Sequence, residues 1–151
     1  MSLLKKKDAP VEAKMLALKY LVHFVGDVHQ PLHASVNTGG EVAVSYKGNV
    51  LSLHYVWDKT CIAERSLKPI AVAQAISDLA VNVSTAEPAV WAIESRDAAR
   101  DEIFSSGFFR GSSQPWVLPD SYCVDHWPLI SSRLSSAGHR LAVVLNQLFV
   151  K

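Results

Sequence analysis

A chain of 151 residues, 49% hydrophobic and 19% charged, has the length and composition of one folded domain with a real core, which excludes a disordered polypeptide. A formal net charge of +1 gives no argument for or against a polyanionic partner, so local chemistry would have to recruit one. No apolar run approaches the length of a bilayer span, and the opening MSLLKKKDAP lacks the apolar stretch of a signal peptide, so the chain is expected to be soluble as written.

Residues 1 to about 7 read as an appended or disordered start, with Lys5, Lys6 and Lys7 as a solvated run. Asp8 and Pro10 then mark the start of a helix. Val11, Met15, Leu18, Val22 and Val25 recur at three- and four-residue spacing and predict one buried stripe. Gly26 lies near the end of the pattern, and Gln30-Pro31 stops it, because proline cannot continue the hydrogen-bond ladder. The stretch ASVNTGG, 34–40, reads as a loop. Val42, Val44 and Tyr46 alternate with smaller residues before Lys47-Gly48-Asn49, the pattern of a short β-hairpin.

His54 to about Arg65 predicts one or two helical turns closed by Lys68-Pro69. Residues 70–82 place Val72, Ile76 and Leu79 on one helix face, and Thr85 and Pro88 open another helix with Trp91, Ala99 and Phe104 for packing. SSGFFRGSSQPWVLPD is a loop, and the last helix starts or kinks at Pro128, with a stripe of Leu134, Ala137, Leu141, Val144, Leu145 and Leu148. The class is mainly α with one small hairpin, as a single domain over 1–151. Cys61 and Cys123 permit one disulfide in an oxidising compartment and are otherwise small buried hydrophobes; the sequence leaves the two open.

The chemistry concentrates in HFVGDVHQPLH, 23–33. His23 and Asp27 are four apart on a helix and leave the same face. His33 follows just past the proline, and His54 and Asp58 repeat the four-residue spacing after the hairpin. One such His/Asp pair is most often a surface pair worth a few tenths of a kcal/mol. Two pairs together with His33, bracketing a hairpin that brings them together, instead describe a metal centre. Imidazole with carboxylate suits zinc, whereas calcium and magnesium prefer oxygen alone. His29 breaks the spacing and is expected behind the ligands or exposed; His126 and His139 lack useful carboxylate neighbours and are expected to be structural, as Trp57 and Trp91 are expected to pack.

LKYLVHFVGDVHQPLH, GGEVAVSYKG and LSLHYVWD, with WAIES and AGHRLAVVLNQLF further on, resemble the S1/P1 nuclease family from about residue 11 to the end. The resemblance implies a helical bundle of the phospholipase C/P1 nuclease type and a secreted, three-zinc enzyme cleaving single-stranded RNA, DNA and 3′-nucleotides. On that basis His23 ligates one zinc of a close pair and Asp27 bridges the pair, which makes Asp27 the residue nearest the chemistry. His33, His54 and Asp58 hold the remaining zinc.

The family takes its other ligands, a mature N-terminal Trp, a His soon after, and a further Asp and His, from an N-terminal half without counterpart here. One complete three-ligand site is therefore expected, with the other half supplied by a longer parent or by an associated chain, and negligible activity from this chain alone. Thr38 stands where the family has a small apolar residue of its nucleobase pocket; Glu41 and Ser52 each stand where Asn is usual. Two alternatives stay open: a phospholipase C-like zinc phosphohydrolase, and a non-catalytic helical module with one structural zinc.

Overall fold

The structure is a computed structural model, and it describes residues 2–35, 41–79, 87–107 and 115–149. A helical turn, α1 (Ser2–Lys5), precedes the long helix α2 (Val11–Asp27). A 3-10 turn at Pro31–Ala34 follows, then β1 (Ala43–Tyr46) and β2 (Asn49–Ser52). α3 (Leu53–Tyr55), a π turn at Val56–Thr60 and α4 (Cys61–Ala63) run on without a break, and α5 (Pro69–Ile76) comes next. α6 (Pro88–Ala98) continues into a second π turn, Ala99–Ile103. β3 (Trp116–Val117), α7 (Tyr122–Asp125) and the long α8 (Trp127–Phe149) complete the chain.

The hairpin forms where the alternation predicts it, with Tyr46 opposite Asn49 and Ala43 opposite Ser52. Its two-residue turn places Lys47 at φ 48° and Gly48 at φ 77°. Left-handed backbone at both positions matches the twist of paired strands, and glycine adopts it without steric cost. A third strand was not expected. β3 pairs parallel to the other edge of β1, inside a stretch that reads as a loop. Two residues are too few to show a period.

The larger core lies between this sheet and the helices around it, and includes Leu32, Val44, Leu53, Val56, Trp57, Ile103 and Tyr122. Trp57 is buried and donates its indole N–H to the Tyr122 hydroxyl at 3.1 Å, so it packs as expected. Cys61 and Cys123 form a disulfide across this core. A smaller cluster joins Val25 of α2, Trp91 of α6 and Val144 of α8.

Three expectations about helices are corrected. The stripe on α2 is not buried: Val25 is, at 5% exposure, but Val11 is 66%, Met15 55%, Leu18 37% and Val22 46% exposed. Periodicity counts apolar positions, not partners; near its C-terminal end α2 packs with α6 and α8 through Leu21 and Val25, joined by Val28 just beyond it. α5 ends at Ile76, leaving Leu79 exposed. Along α8, Ala137 and Val144 are buried as expected, yet Leu134 is exposed, and Ser131, Ser135, Ser136 and Arg140 occupy interior positions. α6 starts with Pro88 in its first turn; Thr85 and residues 80–82 lie outside the described residues. Among the described residues no helix is long and apolar enough to cross a membrane.

Candidate metal centre

Three short pieces of chain converge here, and each is fixed locally. Ser52 caps α3, its hydroxyl oxygen accepting from the Tyr55 N–H at 3.1 Å. Serine and asparagine cap a helix about equally well. The serine at this position therefore preserves the start of the helix that presents His54. The helix then widens into the π turn that carries Asp58, a local geometry frequent at functional sites. On the other side, Gln30 accepts from the Leu32 N–H and caps the 3-10 turn that presents His33.

His33 Nε2 and His54 Nε2 lie 2.9 Å apart. The Asp58 carboxylate closes the triangle, with Oδ2 at 2.9 Å from His54 Nε2 and Oδ1 at 3.4 Å from His33 Nε2. A tetrahedral zinc with ligand bonds of ~2.0–2.2 Å holds its donors roughly 3.3–3.6 Å apart. Each of these three contacts is within a few tenths of an ångström of that spacing, the two to Asp58 through different carboxylate oxygens, and two nitrogens with a carboxylate are a zinc donor set. These three side chains are the group of potential metal ligands that converges among the described residues. They are only partly exposed, at 19% for His33, 30% for His54 and 34% for Asp58, so a bound ion would be shielded yet open on one side.

Two side chains orient the triad. Asp27 Oδ1 lies 2.7 Å from His33 Nδ1. Although that nitrogen makes no hydrogen bond of ordinary alignment, the neighbouring anion favours a proton on Nδ1 and leaves the Nε2 lone pair for a cation. Gln30 Nε2 donates to Asp58 Oδ1 at 2.9 Å. The sequence reading uses Gln30 only to stop a helix; its place inside the H-Q-P-L-H motif was the available signal.

His23 stands one turn up α2, exposed, and lines the same cleft of about 510 Å³ as Asp27, His33 and Asp58. It is not among the converging three. Lys59 and Arg133 also line this cleft and bring cations to it. Thr38 lies outside the described residues, and Glu41 is exposed.

His29 is buried, at 1% exposure, behind the triad. Its Nδ1 is 2.6 Å from the Val25 carbonyl, and its Nε2 is 3.0 Å from Arg140 Nη1. A carbonyl only accepts and a guanidinium only donates, so the imidazole is neutral with its proton on Nδ1. Burial pushes its pKa down from 6.5 to about 4. His126 donates from Nδ1 to the Tyr122 carbonyl, 2.8 Å away, and His139 donates from Nδ1 to the Ser135 carbonyl at 2.9 Å; both bond to their own local backbone, as expected of structural histidines.

The profile of the S1/P1 Nuclease family matches residues 1–150. The chain belongs to the S1/P1 nuclease family. It is 30% identical to Endonuclease 2 of Arabidopsis thaliana over 88% of its own length and 51% of that protein's. It is 28% identical to Endonuclease 4 of the same plant over 88% and 50%, and 26% identical to Nuclease S1 of Aspergillus oryzae over 86% and 53%. The chain thus spans about half the length of the curated relatives it matches. Membership of the S1/P1 nuclease family bears out the resemblance read from the motifs.

Proposed function

We propose that this chain carries one zinc site of a hydrolase that cleaves phosphate esters in single-stranded nucleic acids or 3′-nucleotides, with His33, His54 and Asp58 as the zinc ligands. The triangle of donors 2.9–3.4 Å apart carries this reading. Three protein ligands leave a fourth position for water or substrate, the arrangement of a catalytic rather than a structural zinc. When bound, zinc supplies Lewis acidity to a phosphate oxygen and lowers the pKa of a coordinated water towards ~7.

The chain's own residues have separable parts. His33 and His54 present neutral nitrogens, and Asp58 brings the negative charge that offsets part of the ion's. Asp27 and Gln30 hold two of those ligands in place. By family resemblance Asp27 and His23 would contribute ligands to two further zincs, and Thr38 occupies the sequence position of a nucleobase-pocket residue. Those further sites take their remaining ligands from sequence that this chain does not match in its relatives. A single zinc held without turnover is the second reading, favoured by His23 standing outside the converging group. The paired cysteines suit an oxidising compartment outside the cytosol, in keeping with a secreted enzyme.

The test is elemental analysis of the purified chain and of Asp58→Ala. One zinc per wild-type chain and none in the variant is expected, because a methyl group cannot ligate a cation. Equal zinc in both would overturn the ligand assignment. Zinc-dependent cleavage of single-stranded DNA by the chain alone would reject the second reading.

A further inference from the structure

Behind the triad lies a lattice of charged side chains that the ligand set does not use. Arg140 of α8, 2% exposed, places Nη1 2.6 Å and Nη2 2.8 Å from the two carboxylate oxygens of Glu94 on α6. Arg133, two turns earlier on α8, donates from Nη1 to Glu94 at 3.1 Å and from Nη2 to Ser95 Oγ at 2.6 Å. Burying charges is costly, and apolar residues of similar volume often hold a core as well or better. The lattice's outward bonds indicate a different use.

Those bonds converge on one turn of chain. Arg133 Nε donates to the His29 carbonyl at 3.1 Å. Ser95 Oγ donates to the Val28 carbonyl at 2.6 Å. Arg140 Nη1 reaches the His29 imidazole, whose other nitrogen holds the Val25 carbonyl. Val25, Val28 and His29 carry carbonyls at the C-terminal end of α2, where the helix leaves its last acceptors without intrahelical donors and its dipole favours cations. The same turn joins Asp27, against His33 Nδ1, to Gln30, against Asp58 Oδ1. α6 also packs directly on the 3-10 turn that presents His33.

We propose that Glu94, Ser95, Arg133 and Arg140 are positioning residues for the metal centre: they clamp the Val28–Gln30 turn from behind and thereby set how tightly His33, His54 and Asp58 hold zinc. None of them belongs to the ligand triad. This rests on the zinc reading above. Outer partners of metal ligands typically change affinity ~10- to 100-fold when lost.

The experiment measures zinc dissociation constants by chelator competition, the visible spectrum of the cobalt-substituted protein, and thermal unfolding. It uses the wild type, Glu94→Gln, Ser95→Ala and a control, Ile76→Ala, on α5, which carries no ligand. Glu94→Gln and Ser95→Ala are expected to weaken zinc binding about 10-fold or more, with one zinc still bound at saturation and altered cobalt bands. Ile76→Ala is expected to lower the unfolding temperature while leaving the zinc constant and the cobalt bands as in the wild type. Should Glu94→Gln fail to fold, Ser95→Ala carries the test, since it deletes only the bonds to Val28 and Arg133. Folded variants with wild-type zinc constants, or a control that loses affinity in step with its stability, would overturn the positioning role. A wild type that binds no zinc would instead sink the metal reading on which it rests.

Discussion

At the scale of single residues, His29 and Glu94 tie the interior to pH. Folded His29 binds its proton at about 4, against 6.5 for the free group, with Arg133, Arg140 and Glu94 facing it. Above pH 6.5 both states are neutral and nothing is at stake. Between 6.5 and 4 the unfolded chain binds a proton that the folded chain refuses, so stability falls as pH falls, by about 3 kcal/mol across that window. Hydrogen bonds from Arg140, with those from Arg133, hold Glu94 below the ordinary carboxylate range. Its contribution is present above that range and is lost as pH drops through it, in the same direction as His29. Urea unfolding of the chelator-treated protein is expected to show this slope, and His29→Gln, which keeps one donor and one acceptor, to flatten it between pH 6.5 and 4. An unchanged slope in the variant would contradict the buried neutral imidazole. The candidate ligands were legible because helical spacing brings i and i+4 to one face. Gln30 and Asp58 are separated by 28 residues, and Arg140 and His29 by 111, so no local pattern announces that they meet.

At the scale of elements, the stretch from α3 through the π turn to α4 presents His54 and Asp58, and Cys61 follows directly on the turn. The Cys61–Cys123 bond ties this stretch to α7 and closes 62 residues of chain. Restricting a loop of that length in the unfolded state is worth about 4 kcal/mol in the chain-entropy account. The double variant Cys61→Ser with Cys123→Ser is expected to lose stability of that order in denaturant titration. A midpoint equal to the wild type's would show that the bond adds nothing. The hairpin and the starts of α2, α6 and α8 were readable because proline and alternation act locally. The exposure of the α2 stripe and the existence of β3 were not, since both depend on what lies opposite, a tertiary fact.

At the scale of the whole molecule, α2 carries an exposed apolar face, and the chain spans about half the length of the curated relatives it matches. Leu16, Tyr20 and Phe24 are 54%, 52% and 59% exposed beside Val11, Met15 and Val22. A groove of about 500 Å³ between α2, α6 and α8 shares Asp27 and His33 with the metal cleft, so the face continues up to the candidate site. Among the described residues the converging set of donors is His33, His54 and Asp58, and the proposed function depends on their holding zinc. Crystals grown with zinc and measured at the zinc absorption edge test this directly. An anomalous peak bonded to His33 Nε2, His54 Nε2 and the Asp58 carboxylate at ~2.0–2.2 Å is expected. A fully ordered triad with no peak, or zinc bound only elsewhere, would contradict it.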